Sequence, residues 1–315
     1  KAPFQASGMF NSPRQGTVYP VDFNTALATH ALYMSALGDI LNDKDLTFQY
    51  KRMYFSLKTR INSFMWDEET GFYYDLDENA EKLQRKTIAG FWPLLAEIPN
   101  EDKAVALISH LNNPNTFGLD HPFPSLSADD PDFNENGEGY KGSVFPVYNF
   151  IVIKGLEKYQ RYDLARECTL KHIYYMLDAM FPDGSHAKGD LWEAYLPKKS
   201  GPASCSDNEL FPRKRFIQSA GLSTIALMIE NVVGLSISLP RKTVDWTIPN
   251  LEIMGIENLS LKRNMITILS NKSTRGWEIQ MESEKLYYFT INILGSKKKT
   301  LPIPSGKCSM FIDKL

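Results

Sequence analysis

Glu193 carries the most chemistry of any single residue in the chain. It stands in Asp190-Leu191-Trp192-Glu193-Ala194-Tyr195-Leu196-Pro197, a carboxylate between two aromatic side chains. A flat ring presents an apolar face to the C–H face of a pyranose, and a carboxylate beside it can take a proton from water or stabilise an oxocarbenium-like centre. The pattern is short, and a surface glutamate between two half-buried anchors produces it as readily. Its meaning depends on the surroundings, where Trp192 and Tyr195 are the adjacent candidate sugar-facing rings.

Those surroundings are two long irregular stretches, 112–144 and 181–213, which hold most of the Pro, Gly, Asp and aromatic residues. Loops beyond about 15 residues in a compact domain usually carry function. The elements that must position them are helical. Leu27, Leu32, Leu37, Ile40 and Leu41 set an apolar stripe that predicts a helix over Val21–Leu41. Further periodic runs predict helices over Thr47–Met65, Lys86–Leu95, Glu101–Leu111, Val147–Tyr159, Tyr162–Ala179 and Arg215–Val233, about seven in all. After Gly234 short β-rich runs take over, at Thr243–Trp246, Met265–Leu269, Trp277–Met281 and Leu286–Leu294. The expected organisation is a mainly α domain over 1–234 and a C-terminal β-sandwich-like module over 235–315, with no repeat or flexible linker between them.

Composition removes several classes of function. At 315 residues, 43% hydrophobic and 23% charged, the chain can bury a sizeable core. A net charge of −2 with scattered cations gives no electrostatic footprint for nucleic acid. No apolar run is long enough for a membrane-spanning helix. Cys168, Cys205 and Cys308 are too far apart and odd in number for a disulfide framework or a CxxC pair. The chain starts at Lys1 without Met, so a signal peptide or other upstream sequence is expected outside it. The compartment stays open, with a periplasmic or secreted location preferred.

No cofactor or metal is expected. Asp132-Phe133-Asn134-Glu135-Asn136-Gly137 matches the first half of an EF-hand loop, but position twelve is Ser143 where a bidentate Glu is needed. The five histidines, His30, His110, His121, His172 and His186, show no ligand spacing, although His121 and His186 lie in the long loops. P-loop, dinucleotide and nucleophile-elbow patterns are absent.

The order of the remaining motifs gives Glu193 a role. Ser7-Gly8-Met9-Phe10-Asn11-Ser12-Pro13-Arg14 is followed by Pro20-Val21-Asp22-Phe23-Asn24, then by Trp66 to Leu76 with Thr70-Gly71-Phe72-Tyr73-Tyr74-Asp75, and by Gly90-Phe91-Trp92-Pro93-Leu94. Pro122-Phe123-Pro124-Ser125-Leu126, Gly139-Tyr140-Lys141-Gly142-Ser143-Val144-Phe145-Pro146-Val147-Tyr148-Asn149 and Leu191–Pro197 complete the series. In this order the chain resembles the inverting α-glycosidases that include glycoside hydrolase family 63, the trehalases and mannosylglycerate-hydrolase-like enzymes, over about 7–235. The resemblance implies an (α/α)6 barrel, a ring of six helical hairpins whose long loops build the sugar pocket. It also implies hydrolysis of an α-linked glucoside or mannoside in an oligosaccharide or glycoside substrate, with Glu193 as general base. In an inverting mechanism the two carboxyl groups lie about 6.5–9.5 Å apart, leaving room for the attacking water. Tyr140 falls at a family Trp and Lys141 at a family Arg, so Tyr140, Lys141, Trp192 and Tyr195 are the expected substrate-binding residues. Trp92 and Phe145 are as readily packing under the site as contacts in it.

Two departures qualify this expectation. The family's acid-bearing loop reads "SGxDxSPR", and Phe10 occupies the position of the Asp. Glu138 or Asp190 is then the expected acid, while Asp22 is read as capping the start of the first helix. If no acid serves, the chain is a carbohydrate-binding protein on a glycosidase scaffold; a polysaccharide lyase is a third, weaker fit. The second departure is arithmetic, since six hairpins need about twelve helices and about seven are predicted. Either an N-terminal half lies outside the chain, or an incomplete barrel has its apolar helix faces covered by a partner such as a second copy.

Overall fold

Helix α1 spans Val21–Leu41, the range its periodicity predicts, but it buries the opposite face. Small residues, Ala28, Ala31, Ser35 and Gly38, form its packed side. The expected stripe looks outward, with Leu27, Leu37, Ile40 and Leu41 exposed at 37, 47, 75 and 69%. Close approach to α2 (Lys44–Arg60) explains the choice. A Cβ on Gly38 would lie 2.6 Å from the Thr47 hydroxyl and 2.7 Å from its amide nitrogen, so only small residues let the two backbones meet.

The computed structural model describes residues 2–3, 17–181, 189–206, 208–248, 253–293, 297–303 and 305–313. It divides into two units, Lys1–Thr224 and Ile225–Leu315. In the first, β1 (Ala2–Pro3) pairs with β2 (Thr17–Val18), and α2 runs through a π turn at Ile61–Met65 into the hairpin of β3 (Trp66–Asp67) and β4 (Phe72–Tyr73). The predicted 86–95 helix is a 3-10 turn at Ile88–Phe91 followed by the short α3 (Trp92–Leu95), because Gly90 and Pro93 break the run. Helices α4 (Glu101–Asn112), α5 (Pro146–Lys158) and α6 (Tyr162–Met180) follow, with α4 capped by Asn100, whose side chain accepts from Lys103 N at 3.0 Å. Helix α5 packs between α3 and α6, and α1 rests on α3. The predicted 215–233 helix is regular only in α7 (Leu222–Leu227), between π turns.

The described residues hold seven α-helices, part of the expected ring of hairpins. A complete barrel is not formed among them. None of the described helices is long and apolar enough to cross a membrane.

The second unit is a pair of four-stranded sheets. One has the order β11-β10-β6-β5, from Lys297–Ile303, Tyr287–Ile293, Thr243–Ile248 and Leu235–Ser238; the other is β12-β9-β8-β7, from Gly306–Asp313, Gly276–Ser283, Met265–Lys272 and Ile253–Ser260. Only β10–β6 is parallel among these pairings. Alternation puts Val244, Trp246 and Ile248 of β6, with Phe289 and Ile291 of β10, against Ile266 and Ile268 of β8 and Ile279 and Met281 of β9 in one apolar core. Trp246 Nε1 donates to Val233 O at 2.8 Å, which satisfies its single polar atom in that core.

Candidate functional site

Glu193 sits on the middle segment of a small three-segment assembly. On one side Tyr195 and Val144 exchange both backbone hydrogen bonds at 2.9 Å. On the other, Glu193 N donates to Arg213 O at 2.9 Å and Phe216 N to Leu191 O at 3.1 Å. The segment is irregular in sequence but pinned along both edges, and so the long loop 181–213 offers a defined backbone where it bears its carboxylate.

The carboxylate is gripped by Arg213. Its guanidinium donates from Nε to Oε2 at 2.8 Å and from Nη2 to Oε1 at 2.6 Å, and Arg213 N donates to Oε2 at 3.2 Å. The Arg213 side chain is 59% exposed and lies 4.1 Å from the Phe216 ring centroid, whereas that of Glu193 is 16% exposed. A carboxylate offers about four lone-pair directions. Among the described residues Arg213 takes both on Oε2 and one on Oε1, so one direction on Oε1 carries no partner from them.

Tyr140 is brought to the same place. Its ring stacks on Phe145 with centroids 5.0 Å apart, and both rings neighbour Phe211 in a cluster that includes Ala194 and Tyr148. Burial raises the Tyr140 phenol pKa, and the Glu193 charge raises it further while Arg213 opposes. Tyr148 hydrogen-bonds with Tyr140 and is raised by burial, then by Tyr140, Asp22 and Glu193. The two tyrosines thus form a polar link with Glu193 at one end and Asp22 in the field of the other.

Asp22 shares the capping expected of it with Asp75. The first amide of α1, Val21 N, donates to Asp75 Oδ1 at 2.6 Å, so the helix start is satisfied from the β4 side of the chain. Asp22 is itself 4% exposed, and its Oδ1 accepts from Phe23 N at 2.8 Å.

The other sequence-predicted residues divide. Trp192 is half-buried beside Glu193, and its amide donates to the Tyr195 hydroxyl oxygen at 3.0 Å. Tyr195, expected to face a sugar, is 1% exposed, packed with Val144 and Met176, and its phenol pKa is pushed up to about 12 by burial. It is a core anchor under the loop, its backbone paired with Val144 and its ring packed inward. The Lys141 charge acts on Asp132 and Glu138. Glu138 accepts from the Ser206 hydroxyl at 2.6 Å and from the Ser206 amide, which hold its carboxyl below the usual range. That stabilises the anion, the reverse of what a proton donor needs. Asp190 pairs with Arg215 Nε at 3.2 Å. In the EF-hand-like loop Asp132, its first would-be ligand, is held by Arg85 at 2.5 Å, with Asp130 on the same guanidinium, and Asn134 accepts from Asn136 N at 2.8 Å. No group of metal-ligating residues occurs among the described residues. Phe10 with its motif, and His186, lie outside them.

Arg213, Tyr148 and Phe211 escaped sequence reasoning. Tyr148 belongs to a quoted motif, and the run Arg213-Lys214-Arg215 closing a long acidic and aromatic loop was the available signal for a counter-ion.

Comparison with known proteins gives this geometry a context. Residues 6–207 match the family profile of the mannosylglycerate hydrolase MGH1-like glycoside hydrolase domain, and residues 234–315 that of the trehalase C-terminal domain. An uncharacterized protein of Borreliella burgdorferi is 56% identical over 97% of this chain, which spans 64% of that relative. The mannosylglycerate hydrolase of Thermus thermophilus is 29% identical over 42% of this chain and 34% of its own length. The crystal structure of a family 63 mannosylglycerate hydrolase from Thermus thermophilus in complex with Tris shares the fold, with a TM-score of 0.55 over 66% of this chain and 45% of that one, at 24% identity. The chain spans less than two thirds of each.

Proposed function

Because the chain belongs to the mannosylglycerate hydrolase MGH1-like family of glycoside hydrolases, we propose that it cleaves an α-linked glucoside or mannoside with inversion, using Glu193 as general base. The observation that carries this reading is the Glu193 carboxylate itself. It is oriented by a guanidinium fork, sits beside the Tyr140–Phe145 stack, and has a lone pair on Oε1 with no partner among the described residues, where a water would sit. Water would lose a proton to Oε1 as its oxygen bonds to the anomeric carbon. The glycosidic C–O bond breaks on the opposite face, and the departing oxygen takes a proton from an acid. Of the carboxylates, Glu138 is stabilised as an anion and Asp190 is paired with Arg215. Asp22, buried and sharing Tyr148 with Glu193, is the acid to test first. The half-buried Trp192 and Tyr140 are the proposed rings for a sugar face.

A helical segment outside the 315 residues, or a second copy, is the proposed cover for the exposed side of α1. The two-domain reading, with the β module in a structural role, belongs to the same proposal.

The test is Glu193→Gln, assayed on p-nitrophenyl α-glucoside and α-mannoside and on the corresponding glycosyl fluorides. Loss of turnover by about 10²–10⁴-fold is expected, because the amide takes up no proton. Unchanged turnover would remove Glu193 from the role. Oligosaccharide binding with no turnover on any substrate would instead support a binding protein on this scaffold, and unsaturated products a lyase.

A further inference from the structure

We propose that His121, held by His172, is the positioning residue of the Glu193 loop, fixing from beneath the backbone that Arg213 fixes from above. This rests on the reading of Glu193 as the base, but its main readout does not.

Both imidazoles are fully buried, and neither enters the chemistry above. His121 lies in the 113–145 loop and is attached to consecutive residues of the Glu193 loop. Its ring meets the Tyr195 ring edge-on at 5.9 Å, its Nδ1 is 3.1 Å from Leu196 O, and its amide donates to Pro197 O at 3.2 Å. On its other side Nε2 lies 2.8 Å from His172 Nδ1 on α6, and its ring stacks on Tyr175 of the same helix at 4.9 Å. Asn149 of α5 closes the cluster, donating from Nδ2 to Pro122 O at 3.0 Å, next to His121 in the chain. The base loop is thereby tied to two packed helices through one side chain.

The protons in this arrangement follow from the partners. Leu196 O can only accept, so His121 carries its proton on Nδ1 and presents a lone pair on Nε2. Facing that lone pair at 2.8 Å, His172 donates from Nδ1, and the Asn149 Nδ2 group, 3.1 Å from the same nitrogen, competes with it as a second donor. His172 Nε2 has no partner among the described residues. An added proton gains no acceptor in this cluster, because His172 Nε2 faces none there and His121 Nε2 faces His172. The pair is built to be neutral, and burial depresses both imidazoles accordingly. The groups packed around it are the Tyr175 and Tyr195 rings and the Asn149 amide; the charges acting on Tyr175 are those of Asp120, next to His121, and Asp178, both exposed.

Nothing about this polar cluster is needed to fill space, since an apolar side chain would pack there without desolvating two imidazoles. What an apolar side chain would not do is hold the Leu196 carbonyl in place, a few residues along the chain from Glu193.

The test is hydrogen exchange in the full chain at the amides of Glu193, Tyr195, Leu196 and Ala203, comparing wild type with His121→Ala and His121→Asn. Asn retains a donor for Leu196 O, as Ala does not. Exchange in this segment is expected to rise about tenfold or more in His121→Ala and to return toward wild type in His121→Asn, with α4 unchanged. In wild type, after correction for intrinsic rates, the same amides should open as pH falls from 7 to 5, and in His121→Asn that dependence should weaken. Turnover of p-nitrophenyl α-mannoside or α-glucoside by His121→Ala should fall about 10- to 100-fold in kcat with KM little changed. Unaltered exchange at these amides in His121→Ala, or a rise spread evenly over Lys1–Thr224, overturns the positioning role. If wild type shows no turnover, that counts against the glycosidase reading, and exchange alone decides the role of His121.

Discussion

Trp246 in the β module and Tyr195 beneath Glu193 are buried to the same depth, at 0 and 1% exposure, and by opposite means. Around Trp246 the strand period does the work. Every second residue of β6 faces the core, and the ladder partners come from continuous neighbouring strands. Around Tyr195 nothing is periodic. Its backbone is paired with Val144 and its ring touches His121, while the segment's other edge is held by Arg213 and Phe216. Burial by period is redundant and tolerant. Burial by single long-range contacts is specific, and it can leave a carboxylate such as Glu193 at the surface with both oxygens oriented.

The strongest way to break this contrast is to damage the periodic side. Trp246→Ala removes the largest fully buried side chain together with its hydrogen bond to Val233, and should cost about 3–5 kcal/mol. Denaturant unfolding followed by circular dichroism measures it. A loss under about 1 kcal/mol would mean that the sandwich core does not hold that unit together.

Acid separates the two regions next. All five histidines lie in Lys1–Thr224 and none in the β unit. Burial holds His172 down to about 3 and His121 well below the ordinary value, whereas unfolded imidazoles titrate near 6.5. Between those values the unfolded chain binds more protons than the folded one. The stability of the helical unit is therefore full above about pH 6.5 and declines as pH falls toward the folded values, by up to about 1.4 kcal/mol per pH unit for each histidine. A loss of about 2 kcal/mol is expected by pH 5.5, read from unfolding curves taken at a series of pH values. In a His172→Leu variant the slope above pH 4.5 should shrink without vanishing, because His121 and His110, which burial also lowers, still contribute. An unchanged slope would assign it elsewhere.

How much of each region was legible in the sequence follows from the same distinction. The bounds of α1 and the strands β6, β8, β9 and β10 follow from local period, and the predicted runs fall on them. Strands β5, β7, β11 and β12 fall outside the predicted runs; β7 carries a register shift between Ile256 and Leu259. The buried face of α1 was misread because hydrophobicity says which residues favour burial, whereas Gly38 against Thr47 shows that helix approach is decided by size. Glu193 and Tyr140 could be singled out from ordered motifs. Arg213 as the partner of Glu193, and His121 as the partner of His172, join residues 20 and 51 positions apart, and no local pattern encodes such a pair.

A smaller effect sharpens the role of Tyr195. Tyr195→Phe keeps the packed ring and deletes only the hydroxyl that accepts the Trp192 amide. Leaving a half-buried N–H unpaired should cost about 1 kcal/mol in the helical unit and leave the β unit untouched. If sugar contact were the role of this residue, Tyr195→Phe would raise KM for a glycoside while stability stayed level.

The smallest expected effect lies at two arginines that look alike in sequence. Arg213 and Arg215 each pair with a carboxylate of the Glu193 segment, but Arg213 makes a two-pronged grip on Glu193 and Arg215 a single contact of 3.2 Å to Asp190, with its own side chain 77% exposed. An exposed single-contact pair gains little, because water screens the attraction and two side chains lose rotamer freedom. Arg215→Gln should therefore change unfolding free energy by less than about 0.5 kcal/mol and leave turnover within about twofold. Arg213→Gln should lower turnover by about tenfold at similar stability, since the fork that orients the base is lost while its backbone amide remains. If the two variants behave alike, the grip on Glu193 is a surface ion pair like its neighbour. If Arg215→Gln is the one that impairs turnover, Asp190 belongs to the machinery, and the proton donor lies on the same segment as the base.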